Sequence, residues 1–219
     1  MRNAIERGDP RKFASGYTLV AYWRSWVSWT ASSWANPYGS ATPLTQATGA
    51  LQPTSVASQL HNLPAIRFDG AGDYMQTAFT LAQPCTTVLL YKSVTVGLLA
   101  AHDIIYDGAS ALAALVVASD IANAAINYGS SVNTTSGAMA ADTIERWCVV
   151  ANGASSTATR NGASVMAANI GSNSPGGITL GAFRDGSRST NIDVFELAIF
   201  AKALPADVQR RIDARLRAL

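Results

Sequence analysis

The sequence predicts an all-β domain: two antiparallel sheets packed face to face, closed by a short C-terminal helix and preceded by an N-terminal arm. Three observations carry this. From Tyr17 onward, short runs rich in β-branched and aromatic residues are cut at short intervals by Gly, Asn, Asp and Pro, the pattern of an antiparallel sandwich. Only 14% of the residues are charged, against ~25% in an ordinary globular protein. Ser, Thr, Asn and Gly must then supply the polar surface, which suits strands and turns. The helical period is clearest at the end, where Val208, Ile212, Leu216 and Leu219 recur at i, i+4, i+8 and i+11.

Taken in order, residues 1–16 mix both charge signs, carry Pro10 and Gly16, and lack an apolar period; they read as an arm. YTLVAYW, starting at Tyr17, reads as the first strand. Residues 24–62 are irregular, with Pro37, Gly39, Pro43, Gly49 and Pro53. So long a stretch is uncommon unless it packs over a sheet face or has a function. A series of strands follows: AIRF, YMQTAFTL, TTVLLYK, GLLAAHDIIYD, SALAALVVAS, IANAAINYG, TIERWCVVAN, STATRNG, GITLGAF and IDVFELAIF. Asn152-Gly153 and Asn161-Gly162 are the hairpin signals, because a type I′ turn needs positive φ at both centres. Pro205 suits the first turn of the closing helix, and Arg215 and Arg217 suit its C-terminal end, where the macrodipole favours cations. There is no internal repeat and no second domain: residues 17–219 read as one sandwich.

The formal net charge is +2, which gives no electrostatic footprint for nucleic acid. The opening MRNAIERGDPRKF has no apolar core segment and is not a signal peptide. The longest apolar run, ALAALVVA at 111–118, is far short of the ~20 residues that span a bilayer. The expectation is a soluble protein that folds in the cytoplasm where it is made. Cys85 and Cys148 lie inside strand-like runs and read as two buried thiols. The two histidines, His61 and His102, have no zinc-type partners, and no GxSxG, P-loop or GxGxxG motif is present.

Three stretches carry a resemblance. PAIRFDGAGDYMQT is similar to a strand-turn-strand of the form RFDGxxDY. A hairpin ending in RNG is followed by GGITLGAFRDGS. FELAIFAKALPADVQRRIDARL closes the chain, a last strand turning through ALP into a helix. In this order they resemble the concanavalin A-like (laminin-G-like) jelly-roll superfamily, in particular its phage and bacterial branch, over Tyr17 to Leu219. The resemblance implies a jelly-roll β-sandwich, and it leaves the function open because this sandwich hosts many. One departure stands out. Where the family has Trp-x-Asp-x-Ser-Gly, this chain has Trp34, Asn36, Tyr38 and Gly39, so the acid is replaced by an amide.

Four groups of residues are candidate sites. Asp69 and Asp73 bracket the turn made by Gly70 and Gly72. They read as residues that make the corner, with a calcium site as the alternative reading and no third acid nearby. NIDVFE at 191–196 is comparable to the Glu-x-Asp-x-(x)-Glu signature of laminarinase-type glucanases in this superfamily, whose chemistry needs two carboxyls ~5 Å apart, but it lies at the final strand rather than mid-chain. Asn191 takes the first place and is no nucleophile, while Asp193 and Glu196, three apart on an outer strand, are expected on opposite faces. No catalytic residue and no metal ligand is therefore assigned, and no cofactor is expected. Trp23, Trp26, Trp29, Trp34 and Tyr38 form an aromatic cluster that would stack on sugar rings, plug a sandwich end or make an oligomer contact. Arg184 and Arg188 in RDGSR would grip an acidic glycan or a partner carboxylate, or belong to a solvated turn.

Taken together, the resemblance and the charged arm imply a non-enzymatic virion protein of a tailed phage. It would be a capsid decoration, head-fibre or tail-fibre component, a homo-oligomer docked on other virion proteins through residues 1–16, with a host-surface glycan as a further partner. The alternative is a carbohydrate-binding surface module acting in adhesion. Neither reading calls for nucleic acid or a membrane.

Overall fold

The computed structural model describes residues 16–27, 29–95, 103–117, 123–129 and 133–219. Apart from Gly16, the arm at 1–16 lies outside the described residues, as does His102. The described chain is a β-sandwich closed by one helix. Its strands are β1 (Leu19–Arg24), β2 (Trp29–Thr30), β3 (Ser33–Trp34), β4 (Leu44–Thr45), β5 (Thr54–Leu60), β6 (Leu63–Asp69), β7 (Met75–Ala78), β8 (Cys85–Ser93), β9 (Asp103–Asp107), β10 (Ala114–Val117), β11 (Asn123–Asn127), β12 (Asn133–Ala138), β13 (Thr143–Ala151), β14 (Ser156–Arg160), β15 (Ala163–Ala168), β16 (Gly177–Leu180) and β17 (Asn191–Phe200), followed by helix α1 (Ala206–Arg217).

Every pairing among the described residues is antiparallel. One sheet has eight strands in the order β15-β14-β13-β8-β17-β6-β5, with β1 also paired to β17. The other has nine, in the order β12-β11-β10-β9-β16-β7-β4-β3-β2. Strand alternation sends Phe68, Leu89, Tyr91, Trp147 and Val149 from the first sheet against Met75, Ile105, Leu115, Ile126 and Leu180 from the second, one continuous core. A separate apolar layer lies outside the eight-stranded sheet. Tyr22, Val88, Leu90, Phe195 and Phe200 pack there beneath Val208, Ile212 and Leu216 of α1, so the apolar stripe of that helix meets the sheet as its spacing requires. No helix of the described residues is long and apolar enough to cross a membrane.

Several local readings change. The irregular stretch 24–62 contains four strands: the two-residue β2, β3 and β4 extend the nine-stranded sheet, and the seven-residue β5 edges the other. Two-residue strands offer too few alternations to be read as periodic. Asn161-Gly162 has φ of 53° and 82°, as a type I′ turn demands. Asn152-Gly153 does not: Asn152 sits at φ −151°, and Gly153–Ser155 forms a 3₁₀ turn in a four-residue connection between β13 and β14. A hairpin without glycine, His61-Asn62 at φ 43° and 67°, joins β5 to β6.

Candidate functional site

The aromatic segment does not form one platform. Trp23 and Trp34 are wholly buried in the core, and Trp34 Nε1 donates to the Arg24 carbonyl at 2.9 Å. Trp34 is thus a core residue and not a surface for a ligand, since β3 points it inward opposite Leu44 of β4. Trp29 meets it edge-on, ring centres 5.8 Å apart, and caps that end of the sandwich while half-buried. Trp26 and Tyr38 lie elsewhere, over the outer face of the eight-stranded sheet. There the buried Arg24 guanidinium stacks on Tyr22 and Tyr38, 5.1 Å from each ring centre, and on Trp26 at 5.7 Å. It also donates to Tyr38 Oη at 2.8 Å. Asn36, standing where the family has an acid, accepts from the Tyr22 amide and donates to the Ala41 carbonyl; its amide ties the loop to β1.

The NIDVFE carboxylates stand differently from the sequence expectation. β17 lies inside its sheet, between β8 on one side and β6 and β1 on the other. A bulge between Val194 and Glu196 shifts the register, so Ile192 and Val194, then Leu197 and Ile199, all face the core. Asp193 and Glu196 consequently share the outer face, because a bulge inserts one residue into the alternation. Each is buried in its own ion pair. Asp193 takes two bonds from Arg67, at 2.7 and 2.8 Å, with Lys92 Nζ at 3.7 Å. Glu196 is held bidentately by Arg215 of α1, which also reaches Tyr22 Oη at 3.0 Å. The Arg215 guanidinium therefore neutralises a buried acid as well as sitting at the helix end.

At the Asp69–Asp73 corner, Asp69 Oδ1 accepts from the Ala71 amide at 2.7 Å, and Asp73 Oδ2 accepts from the Asp69 amide at 3.1 Å. Gly70 and Gly72 have φ of 78° and 124°, the left-handed region that glycine enters without strain. The corner carries the chain from β6 in one sheet to β7 in the other. Burial pushes the Asp73 carboxyl up to about 6. Among the described residues no three His, Cys, Asp or Glu side chains cluster as a metal site would require. Cys85 faces the core and Cys148 faces the helix layer. Both are free thiols, each pushed up to about 12 by burial.

The outer face of the nine-stranded sheet brings polar groups together. Ser33, Thr45, Gln76, Thr179 and Asp107 are successive cross-strand partners on β3, β4, β7, β16 and β9. Direct partners share a face, so they form one polar row. Gln76 Nε2 donates to Thr179 Oγ1 at 2.7 Å and to the Arg184 carbonyl at 3.2 Å. The loop Phe183–Arg188 folds over the far end of the row. Asp107, fully buried, organises it: Oδ1 accepts from the Gly108 and Ala113 amides, both at 2.8 Å. Oδ2 accepts from the Arg184 amide and guanidinium at 3.3 and 3.1 Å. Arg184 and Arg188 both stack on Phe183, at 4.2 and 5.4 Å, and Gly186 lies against the ring of Tyr74. Thr45 and Arg188 are exposed, and Gln76, Tyr74 and Arg184 half-exposed. This face offers hydroxyl, amide and guanidinium groups beside aromatic rings. Sequence reasoning found the two arginines. It missed Thr45, Gln76, Thr179 and Asp107, whose one signal is their place between inward-facing neighbours, as Gln76 stands between Met75 and Thr77.

The described residues define an antiparallel two-sheet β-sandwich closed by one helix. Solved structures of the same architecture agree, at identities that speak for fold alone. Trypanosoma rangeli sialidase matches 89% of this chain at 12% identity and a TM-score of 0.64. The chain spans about a third of that protein, 32% of its length. Domain 4 of AbnA, a GH43 extracellular arabinanase from Geobacillus stearothermophilus solved in complex with arabinotriose, matches over 90% of this chain and 98% of its own, at 12% identity and a TM-score of 0.67. The binding domain of Paraclostridial Mosquitocidal Protein 1 matches 90% of this chain and 52% of its own, at 12% identity and a TM-score of 0.65. No protein-family model matches the chain, and no curated protein sequence does.

Proposed function

We propose that this chain is a non-catalytic carbohydrate-binding module whose site is the outer face of the nine-stranded sheet. The observation that carries the reading is the accessible edge of the polar row, Thr45 and Gln76, beside the two loop arginines and flanked by Tyr74 and Phe183, with the buried Thr179 and Asp107 holding it in place. Sugars are bound by planar hydrogen-bonding groups beside aromatic faces, and this face supplies both. The AbnA domain, described with arabinotriose bound, supports the reading because it is a module of similar size and fold. The absence of an enzymatic role is proposed from the carboxylates, since Asp193 and Glu196 are each buried in an ion pair.

The test is calorimetric titration of the full chain with arabinan, xylan and sialylated oligosaccharides. Gln76→Ala and Arg188→Ala should each weaken binding at least tenfold with little change in Tm, because both side chains are at least partly exposed. Trp26→Ala tests the aromatic alternative. Loss of binding in that variant alone would move the site to the Arg24 cluster and overturn the sheet-face assignment.

The second reading is a virion protein of a tailed phage, homo-oligomeric and docked through residues 1–16. It rests on the motif resemblance, while the structural neighbours favour the glycan reading. Mass spectrometry of purified particles made with the full-length chain or with one lacking residues 1–16 tests it. Many copies of the first and none of the second would support docking by the arm, and absence of both would refute it.

A further inference from the structure

Helix α1 and the hairpin β14–β15 leave a groove of about 270 Å³ between them, on the outer face of the eight-stranded sheet. It lies on the opposite side of the sandwich from the polar row. Thr157 and Thr159 of β14 point into it, as Ala158 between them faces the core. Ser164 of β15 is the cross-strand partner of Thr159. Gln209, Arg210 and Asp213 line the helix side. No aromatic ring lines it, so apolar stacking is not its chemistry.

The charges of the groove do not cancel. Asp213 Oδ1 accepts from Arg146 Nε at 2.8 Å, which neutralises that carboxylate. Its Oδ2 is turned toward Gly162, where a Cβ would sit 2.8 Å from it. The Asp213 side chain keeps 21% exposure where it lines the groove, so its second oxygen is reachable from that side. Gln209 is fixed by its own bond to the Leu204 carbonyl at 2.7 Å. Arg210 is exposed and has no ion pair among the described residues. Three hydroxyls, one reachable carboxylate oxygen and one unneutralised guanidinium thus face a space at the small end of ligand pockets.

We infer that this groove binds a single sugar ring bearing a carboxylate, a uronic acid unit. Arg210 would take the carboxylate through paired N–H donors. Asp213 Oδ2, Thr157, Thr159 and Ser164 would exchange hydrogen bonds with the ring hydroxyls. A neutral hexose would leave Arg210 unused, and an aromatic or aliphatic ligand would leave the hydroxyls unpaired.

The test is amide chemical-shift mapping of the full chain titrated with galacturonate, and separately with galactose. Galacturonate should shift amides of residues 157–164 and 206–213 and bind at least ten times more tightly than galactose. Arg210→Ala should cost at least tenfold, and Ser164→Phe, which fills the groove from an exposed strand position, should abolish the shifts. Both positions are on the surface, so unchanged melting verifies the fold. Three results would overturn the inference: no shift at these amides, equal binding of both sugars, or full binding by Arg210→Ala. Because the readout is resolved by residue, shifts confined to Thr45, Gln76 and Thr179 would refute the groove while leaving the sheet-face site standing.

Discussion

Helix α1 covers an apolar layer on the outer face of the eight-stranded sheet and leaves a groove beside β14–β15, whereas the outer face of the nine-stranded sheet carries the Phe183–Arg188 loop at one end and a polar row beside it. Both faces arise from the same alternation of inward and outward residues. They differ in what points out. Tyr22, Val88, Leu90, Phe195 and Phe200 make the first face apolar enough to need a cover, and α1 provides it. Thr45 and Gln76 leave one part of the second face polar and open, while Ile104, Ala114 and Ala125 in another part pack with Leu112 and Phe183. The charges follow the same division. Under the helix, Glu196 and Arg215 are both nearly free of solvent, at 2% and 5% side-chain exposure. On the open face, Arg184 keeps 34% exposure while Asp107 has none.

The face under the helix should break first. Arg215→Ala leaves Glu196 buried without its cation and removes a donor from Tyr22 Oη. Truncating one member of a buried pair costs ~3–5 kcal/mol, a large share of the stability of a domain. Urea denaturation should show this as a fall in midpoint at constant slope. Replacing both partners with apolar residues of similar volume should recover most of it. A loss below ~1 kcal/mol would mean that the helix face is wet, and the contrast between the faces would fail.

The open face should lose function more than fold. Asp107→Ala leaves the Gly108 and Ala113 amides without their acceptor and frees Arg184. An orphaned buried donor costs ~1–3 kcal/mol, and water reaching the loop from the open side should hold the total near ~2 kcal/mol. Glycan binding at this face should drop at least tenfold because Arg184 is no longer positioned. Asp107→Asn, which keeps one acceptor oxygen, should lie between. Equal damage from Asp107→Ala and Arg215→Ala in denaturation would show that the loop is as structural as the helix.

The architecture was legible because burial writes itself into the sequence. The strands TTVLLYK and TIERWCVVA, the α1 stripe at Val208, Ile212 and Leu216, and the Asn161-Gly162 turn follow from local rules. What was not legible depended on contacts distant in sequence. The Val194–Glu196 bulge turns Asp193 and Glu196 to one face, and nothing local signals it. Trp34 and Trp26 are eight positions apart in a loop, yet one faces the core and the other lies over an outer face, a choice set by the pairing of β3 with β4 and by Arg24. Asp107 looked like the end of a strand. Its role comes from amides one and six residues away and from a loop 77 positions along the chain.

The smallest effect is expected where the two sheets join. Asp73 is 6% exposed at the corner between β6 and β7. Burial above all, together with the nearby Asp69 charge, raises its carboxyl to about 6 against the downward pull of the Asp69 amide. An ordinary aspartate titrates near ~4. Between those values the folded chain binds more protons than the unfolded one, so stability falls as pH rises through that window. The contribution is fully present below ~4 and lost above about 6. Asp73→Asn keeps an oxygen to accept the Asp69 amide but cannot ionise. At pH 7 it should melt about 3 °C above the wild type, the shift that ~1 kcal/mol produces in a domain of this size. At pH 4 the two curves should coincide. Scanning calorimetry at both values decides the matter. A variant that melts lower than wild type at both would mean that the ionised carboxylate stabilises the corner, which would then be an electrostatic anchor between the sheets.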